Sequence, residues 1–202
     1  MTAEPISEAA SEPHTRWVLP PIDGWTVDDL HTLPDLPPHT QVIDGSLVFV
    51  TPQRVFHNLM IRLLTNGLLA SVPSEFEVFS EMTVVIDRKN GPEPDVLVVR
   101  KEAVRSLRQT SFEVADVLLA VEVVSPDSEA RDHNTKPHRY AEGGIKHFWL
   151  AEMEGKDDHP VVRVYELDPV THTYTCSGIH RDRLKLRAPF DIDIDLTSLH
   201  RR

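Results

Sequence analysis

The sequence predicts a single-domain α/β fold, on three observations. Apolar residues from Val55 to Val72 (Phe56, Leu59, Met60, Leu63, Leu64, Leu68, Leu69) recur at helical spacing. Val117 to Val124 is an unbroken β-prone run, the pattern of a central strand covered on both faces. Shorter alternating segments bounded by Gly, Pro and Asp supply further strands. A chain of 202 residues, 40% hydrophobic and 26% charged, can bury one substantial core.

Met1 to about Gly24 has no periodicity and reads as a flexible arm, leaving residues 25–202 as the domain. Trp25 to Leu30 suggests a short helix with Thr26 as N-cap, and the Pro-rich stretch Leu33 to Pro38 a connector. Gln41 to Val50 reads as a hairpin, because Asp44-Gly45 favours a tight turn between strand formers. The helix from Val55 carries His57 near its start. Phe76 to Ile86 reads as one strand, and Val96 to Val99, after the break at Gly91-Pro92, as the next, with Asp95 at its mouth. The Val117–Val124 strand contains Glu122 and stops at Ser125-Pro126. Asp127 to Glu142 reads as helix in two pieces, since Pro137 fits only a first turn, and Gly143-Gly144 ends it. Ile145 to Leu150, Val161 to Leu167, a hairpin-like segment through Tyr174, and Phe190 to Leu196 complete the extended pieces.

Bulk properties exclude several classes. No apolar run approaches the roughly 20 residues of a membrane span, and the acidic start lacks the pattern of a secretory signal, so a cytoplasmic protein is expected. The lone Cys176 cannot form an internal disulfide and reads as an ordinary strand residue. A formal net charge of -11 argues against broad phosphate contact. Two local basic groups, Arg100, Lys101, Arg105 and Arg108, then Arg181, Arg183, Lys185 and Arg187, read as solvated faces or short contact patches.

Glu122 is the chemical anomaly. A carboxylate set among Val117, Leu118, Leu119, Ala120, Val121, Val123 and Val124 loses hydration at a cost of several kcal/mol and needs compensation. One compensation is an Arg partner or an outward-facing edge position. The other is a divalent metal shared with Asp95, which a neighbouring strand can bring alongside. Magnesium suits such a site, being a hard ion content with one or two carboxylates and several waters, and the backbone carbonyl of Val123 is a further candidate ligand. Asp132 and Lys136, four apart, form either an exposed helix pair or a lysine placed to stabilise charge on a phosphorus centre.

The ordered set Asp44-Gly45, His57 in a helix, Pro94-Asp95, Glu122-Val-Val-Ser125-Pro126, Asp132 with Lys136 and Tyr140, Gly144, and Phe148-Trp149-Leu150 resembles the Uma-type restriction endonuclease family, a branch of the PD-(D/E)XK nuclease superfamily. The resemblance spans about Trp25 to Leu199. It implies a restriction-endonuclease-like core with a mixed central sheet flanked by helices, Asp95 and Glu122 as Mg2+ ligands with Mn2+ able to substitute, a DNA substrate, and a homodimer. Val124 stands where the usual lysine would be, and Lys136 resembles its relocated equivalent. Gln41 occupies a position where members often carry a Glu, and Pro137 follows Lys136 directly. His57 is a candidate proton acceptor or phosphate contact. The expected function is Mg2+-dependent endonuclease action on DNA. The competing readings are a weak or inactive nuclease-fold protein that binds or regulates, and a hydrolase of a small phosphodiester.

Overall fold

The computed structural model describes residues 19–199, so most of the arm expected over residues 1–24 lies outside the described residues. In chain order the elements are α1 (Asp29–Thr32), β1 (Gln41–Ile43), β2 (Ser46–Val48), α2 (Val55–Leu69), β3 (Phe76–Ser80), β4 (Thr83–Val85), β5 (Val96–Arg100), β6 (Ser111–Glu113), β7 (Val117–Val123), α3 (Lys136–Glu142), β8 (His147–Glu154), β9 (His159–Asp168), β10 (Thr173–His180), β11 (Arg183–Leu186) and β12 (Ile192–Asp195).

The expected hairpin forms as β1 and β2. Asp44 and Gly45 both take positive φ, 50° and 72°, the geometry of a two-residue turn that glycine adopts without strain. The first helix starts later than its sequence suggests, at Asp29. The backbone N–H groups of Trp25 and Val27 are drawn off to the carbonyls of Gly45 and Arg88. Asp28, not Thr26, takes the N-cap position, and Thr26 instead donates its N–H and its hydroxyl to Asp29 Oδ2, each at 2.7 Å.

A six-stranded mixed sheet, in the order β10-β9-β8-β7-β5-β3, forms the centre; β7 and β8 are parallel and the other neighbours antiparallel. The strand expected over Phe76–Ile86 is two strands. Glu81, at φ 54°, turns the chain, so β3 stays at the sheet edge while β4 leaves to pair in parallel with β6. β6 and β11 are absent from the sequence reading; each is only three or four residues long, too short to show a period.

The two faces of the sheet are covered differently. On one, Met60, Leu64 and Leu68 of α2 pack on Val98, Leu119, Val121 and Trp149, and the β11–β12 hairpin seals the side with Leu184, Ile192 and Ile194. Gly67 lets α2 approach that hairpin, since a Cβ there would stand 2.4 Å from Ile194 Cδ1. On the other face, Tyr140 of α3 packs with Leu97, Ala120, Phe148 and Leu150. The linkage from β7 to β8 is thus the segment that carries α3. Pro137 sits in the first turn of α3, preceded by a π-helical stretch from Arg131 to Thr135, which makes the two-piece helix expected from the sequence. Cys176 is exposed on β10. Among the described residues no helix is long and apolar enough to cross a membrane. In the second basic group, Arg181 is paired with Glu154 and Arg183 with Asp193.

Candidate active site

The site begins with strand register. Val96 of β5 faces Val121 of β7 in an antiparallel pair, so one further step sets Asp95 opposite Glu122. Glu122 lies on the face covered by α3, where Lys136 and Tyr140 meet it, whereas Asp95, just before β5, stands at the strand mouth and meets α2 through His57. Asp95 Oδ2 accepts the backbone N–H of Val123 at 2.6 Å, while Asp95 Oδ1 lies 3.2 Å from His57 Nε2. The N–H and C=O of one strand residue point to the same edge, which directs the Val123 carbonyl toward Asp95 as well. His57 is buried in the first turn of α2.

Glu122, 1% exposed, is held by two side chains from α3. Lys136 Nζ donates to its Oε2 at 2.7 Å and Tyr140 Oη to its Oε1 at 2.5 Å. Asp132 Oδ1 lies 3.3 Å from Lys136 Nζ, within ion-pair distance but off the hydrogen-bond direction, and this buried oxygen has no hydrogen-bond partner. Burial raises the pKa of Glu122 well above the ordinary carboxylate range and also raises that of Asp132. Burial works to lower that of Lys136, but Glu122, Asp132 and Asp95 more than reverse it, so the lysine stays an ammonium. Burial likewise pushes the Tyr140 phenol up, with Glu122 adding to the effect, so it remains a donor.

All four sequence-derived side chains, His57, Asp95, Glu122 and Lys136, line one cleft. Its inner part, about 40 Å³, opens into an outer part of about 410 Å³ bordered by Pro38, His39, Thr51, Pro52 and Gln53. Gln41 stands at the boundary, its Oε1 accepting the Glu93 N–H at 3.1 Å. Thr51 Oγ1 donates to Asp127 Oδ2 at 2.5 Å across the cleft. Pro137 does not obstruct Lys136, which reaches Glu122 directly. A separate cavity of about 270 Å³ lies behind α3, lined by Phe148, Tyr165, Tyr174 and histidines 133, 138 and 172.

Two features escaped the sequence reading. Tyr140 was legible only as part of a motif, although positions 132, 136 and 140 are four apart and would share a helical face. Glu93, paired with His39 Nδ1 at 2.5 Å, gave no signal, because its partner lies 54 residues away.

Among the described residues no three of His, Cys, Asp and Glu converge to chelate a metal. The donor set nevertheless fits a small hard cation. Five carboxylates (Glu93, Asp95, Glu122, Asp127, Asp132) line the inner cleft against Lys136 and Arg131, and every exposed donor is oxygen apart from His57. Magnesium needs only one or two protein carboxylates and keeps its waters, and the inner volume admits an ion with a water or two.

The fold and the site together define a mixed α/β protein with an acidic, lysine-bearing cleft at the ends of β5 and β7. Residues 27–197 match the Uma2 family, described as "Putative restriction endonuclease", and the chain belongs to that family. The fold is also similar to the crystal structure of "a putative nuclease belonging to DUF820" from Anabaena variabilis, with TM-score 0.66 and 17% identity over 86% of this chain and 96% of that one. No curated protein matches the chain.

Proposed function

We propose that the protein is a divalent-metal-dependent endonuclease that hydrolyses phosphodiester bonds of DNA. The observation that carries the reading is the placement of Asp95 and Glu122 side by side across β5 and β7, with the Lys136 ammonium on Glu122. Asp95, Glu122 and the Val123 carbonyl are the groups that would hold Mg2+, or Mn2+ in its place. When bound, the cation supplies Lewis-acid stabilisation of the charge that grows on the phosphoryl oxygens. It also lets an anionic diester enter a cleft lined by carboxylates, which a protein of net charge -11 cannot otherwise offer.

Lys136 brings a second positive charge into the same cleft, where it stabilises charge that grows in the transition state. Tyr140 and Lys136 hold Glu122 in one orientation. His57, beside Asp95, stands at the cleft wall as the proton acceptor for an attacking water. Cytoplasmic location and a homodimer that cuts two strands belong to the same proposal.

The test is cleavage of supercoiled plasmid and single-stranded DNA with Mg2+ or Mn2+, expected for the wild type and abolished in Asp95→Ala and Glu122→Ala. Cutting that survives both substitutions sinks the mechanism. A second reading, a nuclease-fold binding protein without turnover, is favoured by the neutral Gln41 at the cleft and by the engagement of both Glu122 oxygens. Calorimetric titration with Mn2+ separates the two, since that reading expects no heat of binding. Turnover of a small diester such as bis(p-nitrophenyl) phosphate without DNA cutting would point to a small-molecule hydrolase.

A further inference from the structure

We infer that Asp132 is the receiving partner for Lys136 when a divalent cation takes up Glu122, so that lysine and cation exchange on one carboxylate. The inference rests on the metal-dependent reading above and assigns Asp132 a positioning role. Its starting point is a conflict: the ammonium of Lys136 already sits on Glu122 Oε2 at 2.7 Å, and Glu122 is one of the groups that would hold the cation.

Four observations decide where the ammonium goes. Tyr140 Oη occupies Glu122 Oε1 at 2.5 Å, which pins the carboxylate and keeps it from turning a free oxygen to the cleft. Lys136 is 5% exposed, so water offers no ready replacement for its partner. Asp95 does not receive it, being itself one of the groups that would hold the cation, with its oxygens on the Val123 N–H and beside His57. Asp132 Oδ1 lies 3.3 Å from Nζ, is buried, and has no hydrogen bond of its own.

A small swing of the flexible lysine stem turns that off-axis contact into a hydrogen bond and leaves Oε2 open. Repulsion between the incoming cation and the ammonium drives the swing in this direction. Asp132 Oδ1, which now has an ion-pair contact with Lys136 but no hydrogen bond, thereby gains one in the cation-loaded state.

Mn2+ calorimetry on four proteins tests the exchange: wild type, Asp132→Asn, Lys136→Met and the double variant. Removing the competing ammonium should tighten Mn2+ binding, and removing its receiver should weaken it, each by about tenfold, the scale of one charge-assisted hydrogen bond. In the Lys136→Met background Asp132→Asn should then change nothing. Equal weakening by Asp132→Asn in both backgrounds would mean that Asp132 touches the cation itself and overturns the exchange. Unchanged affinity in Lys136→Met does the same.

Binding in Lys136→Met but not in the wild type overturns the exchange, since the wild-type lysine would then exclude the cation instead of yielding to it. Absence of binding in both overturns the exchange together with the metal-dependent reading, whereas wild-type binding with additive effects overturns the exchange alone. The wild-type lysine gives an independent readout should Lys136→Met unfold. On saturation with Mg2+ its Nζ resonance should shift while keeping slow hydrogen exchange, and slow exchange should be lost in Asp132→Asn. A resonance that does not move at saturation overturns the proposal.

Discussion

Lys136 and Tyr140 stand one helical turn apart on α3 and hold the two oxygens of a single buried carboxylate, Glu122 Oε2 at 2.7 Å and Oε1 at 2.5 Å. The phenol contributes a hydrogen bond to a charged acceptor in a site closed to water. Tyr140→Phe keeps the ring, which packs with its centroid 5.9 Å from that of Phe148, and removes only the hydroxyl. Urea unfolding at neutral pH should show a loss of about 1.5–3 kcal/mol, the range for a bond to a charged group. A loss indistinguishable from zero contradicts this account of how Glu122 is held.

Breaking the same network from the other side is more costly. Glu122→Ala leaves the Lys136 ammonium buried with only the off-axis Asp132, and a buried pair broken on one side typically costs about 3–5 kcal/mol. Glu122→Ala combined with Lys136→Met removes both charges, and replacing a buried pair by apolar groups is often neutral. The double variant should therefore be more stable than the Glu122→Ala single. If the two losses simply add, the buried charges are not coupled as the geometry implies.

How far the sequence could be read depended on the range of the signal. The long amphipathic period of α2 and the apolar run of β7 are local, and both elements lie where the pattern puts them. Glu122 stood out because its neighbours are uniformly apolar, and His57, Asp95 and Lys136 were selected for residue type and order. The split at Glu81 was hidden, because a positive φ at a residue other than glycine has no reliable signature. The late start of α1 depends on backbone bonds to Gly45 and Arg88, contacts that only the folded chain creates. Glu93 joins the cleft through His39 and Gln41, and no local pattern encodes pairs more than fifty residues apart.

Gly67 tests the packing of α2 on the β11–β12 hairpin. Alanine there gains up to about 1 kcal/mol of helix propensity, but its Cβ would stand 2.4 Å from Cδ1 and 2.5 Å from Cγ1 of Ile194, itself 3% exposed. Overpacking of a closed core costs about 1–3 kcal/mol, so Gly67→Ala should be net destabilising in denaturant unfolding. Ile194→Ala opens the space. In that background Gly67→Ala should become neutral or stabilising, and a penalty that persists would place the clash elsewhere.

His147 gives a prediction about acid stability. It opens β8, burial lowers its pKa below 6.5, and its Nδ1 is buried without a hydrogen-bond partner. A histidine depressed in the folded state contributes fully above its unfolded pKa of about 6.5. As the pH falls from there through the folded value, the unfolded chain takes up a proton that the folded one refuses, and stability is lost. Glu122, Asp132 and Glu93, all raised, act in the opposite sense by binding protons more readily when folded, so the raw acid limb mixes several groups. Comparison with His147→Gln isolates the histidine. Between pH 7.5 and 5.5 the wild-type urea midpoint should fall further than that of the variant, and the His147 ring resonances should titrate below 6.5. Identical pH dependence in the two proteins would show that the buried imidazole carries no such cost.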